Sequence, residues 1–150
     1  MTVKLLKTRF HQVAALPWRI DDDGELRVVL VTSRERRRWI LPKGWPIRGL
    51  KDWEAAATEA MEEAGLLGRV ARRPVGRYAY EKRFPRRVET VTVEVYPLRV
   101  DRRLELWPEK GQREVRWFTP GEAAANAGDK GVAESILRFA ASARQEEPAE

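Results

Sequence analysis

Two hydrophobic rhythms alternate along this chain. FHQVAALPW (10–18) and LRVVLVTS (26–33) are dense apolar runs of strand length. They flank the turn-rich DDDG, Asp21 to Gly24, and predict two strands around a turn. WILP (39–42) predicts a short strand ending at Pro42. KGWPIRGLK (43–51), with Gly44, Pro46 and Gly49, predicts a loop. A helix over 52–64 follows, with Asp52 placed as an N-cap and Gly65 where a glycine stops a helix. RVETVTVEVYPL (87–98) alternates as a strand does, although its faces are not cleanly sorted, and EVRWF predicts another short strand. PGEAAANAG predicts a short helix. GVAESILRFAASARQ predicts an amphipathic one, with Val132, Ile136, Phe139 and Ala140 on one face. A frayed tail is expected from about residue 145 to 150. Strands interrupted by helices predict an α/β or α+β sandwich, and 150 residues suit one domain over 1–150 with a sizeable core.

The helix at 52–64 carries a local conflict. At about 100° per residue, Trp53, Ala57, Ala60, Met61 and Ala64 fall on one side and Glu59, Glu62 and Glu63 on the other. Residues three and four apart are helix neighbours, so Glu59 faces both other glutamates. No Lys or Arg lies in those turns to neutralise them. Such pairs weaken a helix by a few tenths of a kcal/mol each, and the C-terminal end of the helix dipole disfavours anions. A hard divalent cation reverses the sign, because Mg²⁺ takes oxygen ligands from carboxylates, waters and substrate phosphates. An ordinary solvated acidic face is the competing reading.

Composition narrows the field. No apolar run approaches the ~20 residues needed to cross a bilayer, and MTVKLLKTRF lacks the apolar core and cleavage site of a signal peptide. The absence of cysteine excludes disulfides and thiolate metal sites and suits the cytoplasm. A single histidine, His11, excludes multi-histidine zinc sites. Lys and Arg number 29 against 23 Asp and Glu, a net charge of +6. The clusters SRERRRW and EKRFPRR favour an anionic partner such as a polyphosphate or nucleic acid, against the alternative of a solubilising surface.

Read together, Leu41 to Leu66, LPKGWPIRGLKDWEAAATEAMEEAGL, resembles the signature of the Nudix hydrolases. Gly44 opens the pattern, and Glu59, Glu62, Glu63, Gly65 and Leu66 fill its later positions at the family's spacing. Leu50 and Thr58 depart from it, standing where the family has Glu and Arg. The resemblance implies an α/β/α sandwich with a mixed sheet. It also implies hydrolysis of a diphosphate linked to a further moiety, with Mg²⁺ or Mn²⁺ on the signature helix. On that resemblance Glu59 and Glu63 are the principal metal ligands. Glu62 is a further ligand or the water-activating base, and a carbonyl near Lys43 or Gly44 completes the shell. Glu109 or Glu114 would add a carboxylate from a later loop.

The PKG spelling and the basic runs look most like the branch of diphosphoinositol polyphosphate and diadenosine polyphosphate phosphohydrolases. Arg34, Lys43, Arg83, Arg86, Arg113 and Lys130 are then the expected substrate contacts, with Lys82 and Arg87 on the same hairpin. Trp39 and Trp53 are expected in the core, and Trp45 is a candidate to stack a base. His11 is a candidate pocket donor or a structural residue. The alternatives are a nucleotide or capped-RNA pyrophosphohydrolase and a non-catalytic module that binds polyphosphate.

Overall fold

A computed structural model describes residues 10–146, with side chains to residue 143. The stretch before Phe10, read as lacking a signal peptide, and residues 147–150 of the expected frayed tail lie outside the described residues. Residues 145 and 146, also expected to fray, are helical. The elements are β1 (Phe10–Ile20), β2 (Leu26–Thr32), β3 (Trp39–Ile40), β4 (Lys43–Gly44), α1 (Asp52–Ala64), β5 (Leu66–Val70), β6 (Gly76–Phe84), β7 (Arg87–Arg103), β8 (Val115–Phe118), α2 (Pro120–Asn126) and α3 (Lys130–Glu146).

All eight strands join one mixed sheet, with a central path β3-β2-β1-β7-β5. β1 runs parallel to β7 from Phe10↔Val91 to Trp18↔Arg99 and antiparallel to both β2 and β4. Side-chain alternation then assigns the two faces. Ala14, Leu16, Val91, Val93 and Val95 pack with Val132, Ile136 and Phe139 on the α2–α3 side. Val13, Ala15, Tyr96 and Leu98 pack with Ala55, Ala56 and Ala60 on the α1 side. Helices on both faces of a mixed sheet make the expected α/β/α sandwich.

Several features depart from expectation. KG at 43–44 is a strand, because Val13↔Gly44 and Ala14↔Lys43 pairing captures it. GRYAYEKRF at 76–84 forms a full strand whose charged residues obscure its alternation, and β7 runs on to Arg103 to serve β6 first and then β5. On α1 the N-cap is Lys51, whose backbone N–H donates to the Glu54 carboxylate at 2.8 Å. Asp52 is instead the first helical residue. The buried face is also rotated from expectation: Ala55, Ala56, Ala60 and Ala64 are buried, Trp53, Ala57 and Met61 only half-buried. Glu63, placed with Glu59 and Glu62 on the side opposite the apolar residues, is 3% exposed. That rotation delivers a carboxylate into the interior.

Candidate active site

The C-terminal half of α1, the β3–β4 segment and the loop between β7 and β8 converge on one place. Gly44 lies against Glu59: a Cβ built there would fall 2.3 Å from Glu59 Oε1. At the helix end Gly65 takes φ 69°, the left-handed turn that glycine adopts without strain. The Trp107 ring lies so close that a Cβ on Gly65 would sit 2.4 Å from it. Backbone bonds then tie the β7–β8 loop to the helix. Leu104 N–H donates to Gly65 O at 2.8 Å and Glu109 N–H to Glu62 O at 3.0 Å. Glu109 is thereby carried next to the glutamates of α1.

Arg113 is the hub of this arrangement. Its side chain is 9% exposed, with Nε 3.0 Å from Glu109 Oε1 and 3.8 Å from Glu63 Oε1. Its Nη1 donates to the Thr32 carbonyl at 3.1 Å. One buried guanidinium therefore serves two carboxylates and a β2 carbonyl. It does not offset the burial of Glu63, whose pKa is raised to about 9 chiefly by desolvation, then by its hydrogen bond to Glu59 and by the Glu59 and Glu109 charges. Burial raises Glu59 too, with Glu62 and Glu109 adding to it. Across the site, the Lys43 ammonium stands 4.9 Å from the Tyr80 ring centroid. Burial holds it below the usual lysine value, Lys82 and Arg113 push the same way, and Glu63 opposes them.

Of the residues expected from sequence, Glu59, Glu62, Glu63, Glu109, Lys43 and Arg113 come together. Arg34 borders them, donating to the Gln112 side chain at 3.4 Å. Others stand apart. Glu114 is 56% exposed and 3.8 Å from Arg116, because the strand pleat turns it outward next to β8. Lys130 is 90% exposed at the start of α3, beside Glu134. Arg83 and Arg86 are exposed on the β6–β7 hairpin. There alternation puts Lys82, with Tyr78, Tyr80 and Phe84, on the inner side and Arg83 on the outer.

Sequence reasoning passed over several neighbours. Tyr80 O–H donates to Gln12 at 2.6 Å. Phe10 stacks on Phe84 at 5.6 Å and edge-on to Trp45 at 6.2 Å. Trp45 is 41% exposed, so an aromatic ledge follows directly on Lys43 and Gly44. The strand period in GRYAYEKRF was the available signal for Tyr80. Trp39 and Trp53, expected in the core, are half-buried at its margin.

A second group of titratable side chains lies at the first turn of α1. Among the described residues, His11, Asp52 and Glu94 are the one His/Cys/Asp/Glu set whose ligand atoms lie within 4.8 Å of one another. The glutamates of α1 are gathered less tightly. Glu94, however, already meets Arg77 at 3.5 Å and accepts from Tyr96 O–H at 2.8 Å. His11 Nε2 lies 3.4 Å from Asp52 and 3.9 Å from Glu94. These contacts make the set a tie between β1, β7 and the first turn of α1.

Comparison with known proteins follows the same lines. A profile of the NUDIX domain matches residues 10–139. "Nudix hydrolase 12, mitochondrial" of Arabidopsis thaliana is 35% identical over 118 residues, covering 69% of this chain and 53% of that protein. "Nudix hydrolase 21, chloroplastic" of the same plant is 29% identical over 131 residues, covering 85% and 64%. The chain thus spans about half the length of "Nudix hydrolase 12, mitochondrial" and of "Nudix hydrolase 13, mitochondrial". Among solved structures, a C. elegans Ap4A hydrolase binary complex superposes with TM-score 0.67 at 18% identity, covering 91% of this chain and 98% of that one. The NUDIX domain of Shewanella oneidensis NrtR complexed with ADP ribose gives 0.69 at 13%, covering 92% and 90%. At those identities the likeness is one of fold. No helix among the described residues is long and apolar enough to cross a membrane.

Proposed function

The chain belongs to the NUDIX domain family, and from that premise we propose that it hydrolyses a diphosphate bond in a polyphosphorylated small molecule, using a divalent cation, Mg²⁺ or Mn²⁺. The observation that carries the reading is Glu63: a buried carboxyl, in reach of Glu59 and Glu109, with the Arg113 guanidinium 3.8 Å away. The donor set fits such a cation. It is all oxygen, it includes two carboxyls whose charge burial disfavours, and the missing side chain at Gly44 lets the Glu59 carboxyl close against the Lys43–Gly44 backbone. Glu59 and Glu63 would hold the ion, with Glu62, Glu109 and the carbonyl of Lys43 or Gly44 as further donors. Bound there, the ion would neutralise diphosphate charge and acidify a coordinated water.

The chain's own side chains supply the rest. Arg113 orients Glu63 and Glu109. Lys43 and Lys82 present cations to the phosphates, and Lys43, partly desolvated, interacts more strongly than a surface lysine would. Glu62, half-exposed at the rim, accepts a proton from the attacking water as the new P–O bond forms. The bridging P–O bond breaks and the leaving phosphate departs with its electron pair. The Trp45 ring, 41% exposed and set edge-on to Phe10, offers an aromatic face to a base. This favours a dinucleoside polyphosphate over a diphosphoinositol polyphosphate as substrate. The cysteine-free composition suits a reducing compartment such as the cytoplasm.

The test is product release with Mg²⁺ from a panel of dinucleoside polyphosphates, inositol pyrophosphates, nucleoside triphosphates and capped RNA. Turnover highest on the dinucleoside compounds, and lost in Glu63→Gln, supports the reading. Full turnover in Glu63→Gln would remove Glu63 from the metal site. Tight binding without product release at saturating Mg²⁺ would favour the non-catalytic module.

A further inference from the structure

At the far end of the sheet the charges conflict again, this time in basic residues. In the β1–β7–β5 register, Trp18 pairs with Arg99 and Arg99 pairs with Arg69. The three side chains therefore form one cross-strand row on the α3 face of the sheet. Two arginines directly opposite each other destabilise a sheet. Among the described residues neither has a carboxylate partner, whereas Arg19 and Arg27 nearby are paired with Asp21 and Asp23. The register is enforced by the backbone. A bulge falls between Leu67 and Gly68, and a Cβ on Gly68 would lie 1.8 Å from the Arg99 carbonyl oxygen.

The row edges a groove of about 1060 Å³, whose walls include Leu26, Val75, Phe139 and Ala143 and whose rim adds Arg73. Among the described residues, Glu25 is the single acidic one lining it. Arg99 lies 5.5 Å from the Trp18 ring centroid, and Phe139 packs on Trp18 at 5.5 Å. Leu26 at the groove and Thr32 at the catalytic cluster are opposite ends of β2, about 20 Å apart at strand rise. An anion between Arg69 and Arg99 would convert their repulsion into a bidentate clamp. An apolar or aromatic body attached to it would lie along the groove.

We propose that this groove is a second, non-catalytic binding site for an organic phosphate of nucleotide type, with its phosphates on Arg69, Arg99 and Arg73 and its base over the apolar wall. Binding in this groove is independent of the chemistry of the glutamate cluster. ADP is the probe, titrated by calorimetry in EDTA into the wild-type chain, Arg69→Gln/Arg99→Gln and Arg73→Gln. The wild type should bind one equivalent more than the double variant, or bind it at least tenfold more tightly. Arg73→Gln should weaken the same event about threefold. Relief of the like-charge pair should leave the unliganded double variant folded, with Tm raised by about 2 °C, and its kcat should match wild type. Inorganic phosphate should compete at least tenfold more weakly than ADP. Equal stoichiometry and affinity in all three proteins would overturn the proposal, and so would inorganic phosphate competing as well as ADP.

Discussion

Replacing Glu63 by glutamine should make the metal-free protein more stable while abolishing its response to metal. The Glu63 carboxyl titrates at about 9 in the folded chain against a reference of 4.5. Between those values the unfolded chain has released a proton that the folded chain retains. Stability therefore falls as pH rises across the window and levels off above it. At pH 7 a carboxyl so displaced costs about 3 kcal/mol. Glu59 shares the hydrogen bond and part of the burden, so about 1–3 kcal/mol is the expected gain for a neutral isostere that can still donate to Glu59. For a chain of this size that is roughly 3–10 °C in Tm. The assay is thermal unfolding in EDTA at pH 5.5, 7.0 and 8.5, repeated in excess Mg²⁺. Wild-type Tm should fall over the series, the Glu63→Gln slope should be shallower, and Mg²⁺ should raise Tm of the wild type alone. A variant with lower Tm and an unchanged pH slope would refute the assignment of Glu63 as a buried, proton-holding carboxyl.

Three further variants probe the surrounding geometry. Gly44→Ala places a Cβ 2.3 Å from Glu59 Oε1; turnover should drop about 100-fold as Glu59 is displaced, and kcat within threefold of wild type would show that Glu59 position is immaterial. Arg113→Ala strands Glu63, Glu109 and the Thr32 carbonyl in a buried setting; urea denaturation should show a loss of about 3 kcal/mol, and a loss under 0.5 kcal/mol would contradict the role of Arg113 as a hub. Trp45→Ala removes the exposed end of the aromatic ledge, so KM for dinucleoside substrates should rise about tenfold, at about 1–2 kcal/mol of lost stacking, with kcat nearly unchanged; equal KM would place the base elsewhere.

What the sequence showed and what it hid divide along physical lines. The glutamate cluster was legible because helical spacing is rigid: once 52–64 is a helix, Glu59, Glu62 and Glu63 must be neighbours. Which of them is buried was not legible, since that depends on how α1 rolls on Val13 and Ala15. Local sequence carries no record of that roll. β4 was invisible for a similar reason, as two residues of a Gly/Pro-rich segment become a strand only when β1 supplies the partner. The basic residues were read as clusters in sequence, yet strand alternation splits such clusters. Lys82 turns inward and Arg83 outward from one dipeptide. Glu109 and Glu114 are five residues apart, and the bond from Glu109 N–H to Glu62 O decides which is drawn to the helix.

Leu50 and Thr58 test the same logic from the other side. Where the family pattern has a Glu and an Arg joining loop to helix, this chain has an exposed Leu50 and a Thr58 whose hydroxyl donates to Glu54 O at 2.9 Å. The junction is held by short-range bonds instead. Leu50 N–H donates to Ile47 O at 3.0 Å, and Lys51 N–H to the Glu54 side chain at 2.8 Å. Gly49 at φ 87° turns the chain between them. A capping bond contributes about 1 kcal/mol, similar to what an exposed ion pair gives at best, so losing the charged pair need not loosen the helix start. Nor does it reach Glu63, which is fixed by Arg113 and by the Trp107 and Glu109 contacts at the opposite end of α1. The two departures therefore bear on the entry to the helix and leave the carboxylate geometry to residues that the signature does not include.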